Sequence, residues 1–259
     1  MFAINLTDEL AILEISGADS KTYLQGQLTN DINLLDNQPF QLSAHLNNKG
    51  RMLASFIITK TAENTYSLFT SKEIIANILP RLKVFVLRSK VIINESTLIP
   101  VFSDHKIGSV NSIELAPNYF LSTIDKTEHS VSVDNNLWHK FLINQSIPLI
   151  YSNTYEQFIP QQVSYELING VSFTKGCYTG QEIVARLHYR GVAKRRIYRF
   201  SCASPIIIGQ KITSPTMDNQ EVGFIVDVAH DGNQFIGLAS VQNDCINDVF
   251  VENMQLLIK

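Results

Sequence analysis

Cysteine is scarce in this sequence: Cys177, Cys202 and Cys245 are the three among 259 residues. An odd, sparse set builds no disulfide framework. No pair has C-x-x-C spacing, so no stable metal or cluster site is expected from the chain alone. Long apolar runs are missing too, and none approaches the roughly 18 residues that a membrane helix needs. The opening MFAINLTDELAILEISG has no basic flank, and Asp8 and Glu9 interrupt its apolar residues, so no secretory signal is expected. Reduced thiols and a cytoplasmic location follow as expectations. Charge is thin at 17% of residues, against about 25% for an average domain. The net charge of −3 excludes a surface that coats nucleic acid generally. There is one tryptophan, Trp138, and neither an internal repeat nor a low-complexity stretch.

Hydrophobic residues, at 45%, are enough for a substantial core, and the length suits two or three packed modules. Ala11–Ser16 reads as a strand, and Gly17-Ala18-Asp19-Ser20 breaks it. Asp19 or Ser20 would then cap a helix carrying Tyr23 and Leu24. Pro39–His45 and Arg51–Thr59 read as strands joined by the turn Asn47-Asn48-Lys49-Gly50, because Asn and Gly tolerate positive φ. Thr65–Thr70 is a further strand, Lys72–Lys83 a helix interrupted by Pro80, and the β-branched stretch Val84–Ile93 another strand. Short strands and loops are expected over Ser96–Val133, and a short helix over Leu137–Gln145. After Lys194 the pattern turns to β, with Asp231-Gly232 as a turn. The expected division is a body over residues 1–193 and a small β-barrel over 194–259.

One segment stands apart: Lys175-Gly176-Cys177-Tyr178-Thr179-Gly180-Gln181-Glu182. Thr179 and Glu182 have capping-box spacing, so a helix should start at Gly180 and bury Ile183, Val184 and Leu187. Cys177 would sit just outside its N-terminus, where the helix dipole, Lys175 and Arg186 favour a thiolate. The bland alternative is a small buried cysteine in a glycine turn. Charge is concentrated here as well. Lys175, Arg186, Arg190, Lys194, Arg195, Arg196 and Arg199 are seven of the 21 basic residues, opposed within that stretch only by Glu182. Arg190, Lys194 and Arg195 are candidate anion contacts, for a carboxylate tail or for phosphates. The bland alternative there is a solvated strand edge.

The segment resembles the K-G-C-Y-x-G-Q-E signature of the YgfZ family at every fixed position. Phe158-Ile159-Pro160-Gln161 before it, Arg190-Gly191 and Lys194-Arg195 after it, and upstream Gly17-Ala18-Asp19-Ser20, Gln25-Gly26-Gln27-Leu28-Thr29 and Lys49-Gly50 extend the likeness over nearly the whole chain. The resemblance implies an α+β fold like the glycine cleavage T-protein, an aminomethyltransferase that uses tetrahydrofolate. It implies two intertwined α+β modules that bind folate, followed by a C-terminal β-barrel. It further implies a folate-binding role in assembly or repair of iron–sulfur enzymes, including one that thiolates tRNA. A mitochondrial iron–sulfur assembly protein is a relative.

Two departures bear on the mechanism. In T-proteins the strand after the Asn-x-x-Gly turn carries a catalytic carboxylate, which would manage a proton on the folate nitrogen. Here that stretch is Leu53-Ala54-Ser55-Phe56, so ordinary aminomethyl transfer is not expected. Of two tryptophans that the family associates with folate, one matches Trp138 and the other position is Leu10. A plain core role for Trp138 is the alternative. His188, on the predicted helix, and His45 are candidate bases for Cys177, although isolated histidines usually pack or face water. Three readings result. The first is a folate-binding accessory factor for iron–sulfur enzymes, with folate in a central cavity and Cys177 at its mouth. The others are a one-carbon transferase and a tRNA-binding module.

Overall fold

The computed structural model describes residues 1–107, 111–125 and 134–259. Residues 108–110 and 126–133, part of the stretch expected to hold short strands and loops, lie outside the described residues. In chain order the elements are β1 (Ala3–Asn5), β2 (Leu10–Ser16), α1 (Ser20–Gln27), β3 (Gln41–Leu46), β4 (Met52–Ala62), β5 (Thr65–Ser71), α2 (Ile75–Val84), β6 (Ile92–Glu95), β7 (Ile99–Ser103), β8 (Asn111–Ala116), β9 (Tyr119–Ile124), α3 (Asn136–Gln145) and α4 (Gln181–Arg190). Then come β10 (Arg195–Cys202), β11 (Lys211–Ser214), β12 (Gln220–Asp231), β13 (Gln234–Gln242), β14 (Phe250–Val251), β15 (Met254–Gln255) and β16 (Leu257–Ile258). None of the helices among the described residues is long and apolar enough to cross a membrane.

The strands form three antiparallel sheets. A five-stranded sheet has the order β3-β4-β5-β2-β6, and a four-stranded sheet has β1-β7-β9-β8. The chain thus starts in one sheet, builds the other through β2–β6, and returns at β7. That crossing is why the two modules are intertwined. The third sheet has the order β15-β14-β11-β12-β13-β10-β16. Its edge strands β15 and β16 are separated in sequence only by Leu256, so the sheet curls until its edges nearly meet.

Hydrophobic burial holds body and barrel together. One core cluster runs from Ile4 through Trp138 to Val184 and takes in Phe224, Val226, Ala229 and Leu238 from the outer wall of the barrel. A second fills the barrel interior with Phe200, Ile212, Val222, Ile225 and Val241. Cys202 and Cys245 are buried in that interior, whereas Cys177 is exposed.

Three local expectations are corrected. Val84–Ile93 is no continuous strand: Val84 and Leu87 face solvent, Leu87 has φ +48°, and only Ile92–Glu95 pairs, with β2. Aliphatic composition suggested a strand, but an exposed, kinked run has nothing to pair with. Pro80 does not end α2, which runs through it to Val84. Asp19 precedes α1 without capping it through its side chain; its carboxylate accepts the Lys90 N–H at 2.7 Å instead.

Candidate functional site

The signature segment links β3, β4 and the barrel. Lys175 is buried, and its ammonium donates to three backbone carbonyls, of Gln25 at 2.8 Å, Leu28 at 2.6 Å and Asn30 at 2.9 Å. These belong to the end of α1 and the turn after it, so two stretches of the signature, about 150 residues apart, meet in one contact. The Lys175 Nζ also lies 5.2 Å from the centre of the buried Tyr178 ring, within cation–π range. Burial pulls the Lys175 pKa down to about 8, with Asp31 opposing, so the group remains charged at neutral pH. Lys175 was expected to help ionise Cys177; its three donors are instead committed to carbonyls.

Gly50 and Gly180 set the other end of the segment. Gly50 has φ +72° in the turn between β3 and β4, and Gly180 has φ +79° at the start of α4. A Cβ on Gly180 would lie 2.4 Å from the Asn47 carbonyl oxygen and 3.0 Å from the Gly50 Cα, and one on Gly50 would meet Ile183. Only glycine at both positions allows so close an approach. Asn47 holds the turn by accepting the Lys49 and Arg51 N–H groups at 2.9 and 3.0 Å. The expected Thr179–Glu182 capping box is absent: Gly180 is the N-cap, and no side chain caps the helix. The left-handed glycine, pinned against the hairpin, starts the helix in its place.

Helix α4 buries only Val184; Ile183 faces solvent and Leu187 is half-buried. Gln161 secures it, donating from Nε2 to the Val184 carbonyl at 2.7 Å. Arg196 on β10 in turn donates to the Gln161 carbonyl at 3.0 Å and pairs with Glu166. Between these anchors Gly176 and Cys177 are exposed while Lys175 and Tyr178 are buried. The chain therefore turns the Cys177 thiol outward at an apex fixed on both sides.

Gln181, Glu182, Arg186 and Arg190 lie on the outer part of α4, with Lys194 exposed beyond it. Arg186, Arg190 and Lys194 form no ion pair among the described residues, whereas Arg195 pairs with Glu221 and lies over the Phe224 ring. Of the candidate bases, His188 stacks on Phe173 at 3.6 Å between ring centres. His45 is buried, with Nδ1 3.0 Å from the Gln27 carbonyl and the Arg81 Nε donating to its Nε2 at 3.3 Å. Burial holds its pKa at about 4, with Arg81 adding to the effect and the Gln27 hydrogen bond opposing, so it is neutral. Ala54, in the stretch where the resemblance expects a carboxylate, is fully buried, and the Ser55 hydroxyl accepts the Ile150 N–H at 2.9 Å. Trp138 is 0% exposed, with its ring against Phe102 and Phe141 at 5.2 and 5.8 Å, so no face of it is open to a ligand.

No family model matches the chain. Curated relatives do. The chain is 31% identical over 227 residues to the tRNA-modifying protein YgfZ of Vibrio vulnificus, covering 77% of this chain and 70% of the relative. To the protein of that name from Aliivibrio fischeri it is 30% identical over 279 residues, covering 95% and 87%. The chain belongs to the YgfZ family. Its fold matches the glycine cleavage aminomethyltransferase T of Bartonella henselae with TM-score 0.67 at 11% identity, over 99% of this chain and 83% of that one. For a YgfZ-family chain on a T-protein fold, the signature thus serves two ends: most of its residues brace the loop, and Cys177 is presented by it.

A second polar cluster was not foreseen in the sequence. His139 on α3 lies between Asp227, 2.7 Å from its Nδ1, and Glu9, 3.4 Å from its Nε2. Asn135 donates to Glu9 at 2.7 Å, and the Val228 N–H donates to Asp227 at 2.8 Å. A bulge in β12 brings Asp227 to α3, so this YgfZ-type body is fastened to its barrel by a charge cluster in which Asp227 is buried and His139 and Glu9 are half-buried. Burial opposes protonation of His139, but Asp227 and then Glu9 outweigh it and hold its pKa at about 10. The signal was present in GFIVDVA, where one acid interrupts an otherwise apolar strand.

Proposed function

We propose that this chain is a folate-binding accessory protein that supports assembly or repair of iron–sulfur enzymes, and through them tRNA modification, with Cys177 as its working thiol. The curated relatives' name and the T-protein fold support the reading. The observation that carries it is the exposed Cys177 at the apex of a loop braced by Lys175, Tyr178 and Gly180. A cysteine kept for packing is buried, as Cys202 and Cys245 are. A thiol that serves a client protein must reach outward, either to exchange with another sulfur or to contact a cluster briefly. Bound folate would supply a carrier of one-carbon units. The chain's own contribution is to hold the folate and present the sulfur. With alanine at the carboxylate position, binding without turnover is the expected behaviour.

The test is complementation of a bacterial strain lacking its own family member, read as the fraction of thiolated tRNA by mass spectrometry. Cys177→Ala should leave the melting curve unchanged and abolish rescue. Full rescue by the alanine variant would remove the thiol from the mechanism. Tetrahydrofolate binding is checked separately by calorimetric titration.

One observation favours a second reading, direct contact with RNA. Phe173, His188 and Tyr189 form an aromatic stack beside the unpaired Arg186, Arg190 and Lys194, and Tyr189 is 66% exposed. Stacking rings among unpaired cations suit single-stranded RNA. The stack escapes the sequence because Phe173 lies fifteen residues before His188. Fluorescence anisotropy with a short single-stranded RNA decides. Arg186→Glu/Arg190→Glu should weaken binding and flatten its salt dependence, and Tyr189→Ala should weaken it at every salt concentration. Equal binding by all three proteins ends this reading.

A further inference from the structure

We propose that the pocket between the β3–β4 turn and the last turn of α2 binds a phosphate monoester. The assignment stands independently of the folate reading. The pocket, of about 370 Å³, is lined by Asn47, Asn48, Lys49, Arg51, Arg81 and Glu156. Three of these residues are cations and one is a carboxylate, and none of the four forms an ion pair among the described residues. The adjoining pocket, which shares Arg51, shows the ordinary arrangement: its Glu221 lies 3.6 Å from Arg195 and 3.4 Å from Lys211 and neutralises them.

What sets the turn pocket apart is that both guanidinium groups are held by uncharged acceptors. Arg51 donates from Nη1 to the Glu156 and Gln157 backbone carbonyls at 3.0 and 2.7 Å. Arg81 donates from Nε to the Nε2 of His45 at 3.3 Å. His45 is buried and neutral, and its Nδ1 donates to the Gln27 carbonyl at 3.0 Å, which leaves Nε2 as the acceptor. Each contact fixes a guanidinium in place without cancelling its charge. The Nε and Nη2 of Arg51 and both Nη groups of Arg81 make no hydrogen bond among the described residues, so each arginine keeps donors for a forked contact. The carboxylate of Glu156 is turned to a neutral group as well: its Oε1 accepts from the Asn47 amide at 3.2 Å. Three cations against one carboxylate leave a surplus of two positive charges. A phosphate monoester, with about −1.5 to −2 charge and three acceptor oxygens, meets that surplus, whereas a carboxylate or a backbone diester brings only about −1. The same turn bears on the signature loop, since a Cβ on Gly180 would lie 2.4 Å from the Asn47 carbonyl oxygen. A phosphorylated small molecule bound here would therefore sit one contact away from the support of Cys177.

The experiment is calorimetric titration of the full chain in about 0.15 M salt, where loose surface attraction is screened. The probes are inorganic phosphate, AMP and the dinucleoside monophosphate ApA, whose single phosphate is a diester. Inorganic phosphate and AMP should bind the parent, with ApA weaker than AMP by about 10-fold or more. Arg81→Gln and Arg51→Gln should each weaken AMP by roughly 10- to 100-fold, the loss of charge-assisted hydrogen bonds. Glu156→Gln should tighten AMP by roughly 3- to 10-fold, because the opposing charge goes while the acceptor for Asn47 stays. Lys211→Gln, in the adjoining pocket, should change nothing. Thermal melts confirm folding, and Arg51→Gln at an exposed position carries the test should the loss of the His45 partner unfold Arg81→Gln. Three results would overturn the assignment. Failure of both inorganic phosphate and AMP to bind the parent removes the site. Folded arginine variants that bind AMP as tightly as the parent place the phosphate elsewhere. Equal affinity for ApA and AMP shows that the pocket reads a backbone diester rather than a terminal phosphate. Tetrahydrofolate titrations decide the folate reading separately, whichever result is found.

Discussion

Replacing Lys175 by methionine tests whether the signature is chiefly a brace. The substitution keeps the length and apolar character of the stem and removes the ammonium. Three carbonyls, of Gln25, Leu28 and Asn30, then lose their donor, the last two at buried contacts and the first at a part-buried one. A hydrogen bond to a charged donor is worth about 1.5–3 kcal/mol, so the gross loss is about 5–9 kcal/mol. Against it stands the burial of the charge. The fall of the Lys175 pKa from 10.5 to about 8 means that the site disfavours the charged form by about 3 kcal/mol, a cost the methionine escapes. The net expectation is a loss of about 2–6 kcal/mol, in line with removing one side of a buried charged contact. In a chain of this size that lowers the melting temperature by roughly 4–24 °C. Equilibrium denaturation gives the free energy, and hydrogen exchange gives its location: the amides of residues 173–182 and 25–31 should exchange faster together. A methionine variant within 1 kcal/mol of the parent, with both segments still protected, would refute the claim that this ammonium holds the loop.

The remaining predictions concern the loop, the interior cluster and the chemistry. Gly180→Ala should cost about 3 kcal/mol or more, since its Cβ would meet the Asn47 carbonyl oxygen at 2.4 Å and its φ is +79°; an alanine variant as stable as the parent in urea would show that the hairpin yields easily. Protonated His139 stabilises the fold, because its folded pKa of about 10 lies above the unfolded value of about 6.5. That contribution is complete below about pH 6.5 and is lost as pH rises through 10, so stability should fall between pH 7 and 10. His139→Gln should be less stable at pH 7 and lose less over that window; parallel slopes for the two proteins would contradict the pairing of His139 with Asp227 and Glu9. The purified chain should bind tetrahydrofolate without forming a one-carbon product in a direct assay, and sustained turnover would promote the transferase reading over the accessory one.

Local periodicity and turn chemistry made much of the fold legible. The Asn47–Gly50 turn, the strands on either side of it and the short helix at Leu137 follow from residues within a few positions of one another. The misread elements were those whose local signal was overruled from elsewhere. The aliphatic run after Val84 has strand composition, but its partner strand β2 takes only Ile92–Glu95. Thr179 and Glu182 have capping spacing, but contact with Asn47 and Gly50 sets Gly180 as the cap. A sequence carries no mark of which distant segment will claim a residue.

The same distinction separates what was readable in the candidate site from what was not. The signature K-G-C-Y-x-G-Q-E is recognisable as a string, and its density of unusual residues suggests chemistry at every position. In three dimensions those residues divide. Lys175 and Gly180 serve contacts with the turn after α1 and with the β3–β4 turn, and Tyr178 packs inward. A residue whose partners lie 150 positions away looks, in one dimension, like a residue waiting for a ligand. Cys177 is a side chain for which the fold gives no such use: with Gly176 it is exposed between the buried Lys175 and Tyr178. Function is therefore best sought where the packing leaves an exposed group unexplained, and by that criterion the thiol of Cys177 is the side chain on which experiments should begin.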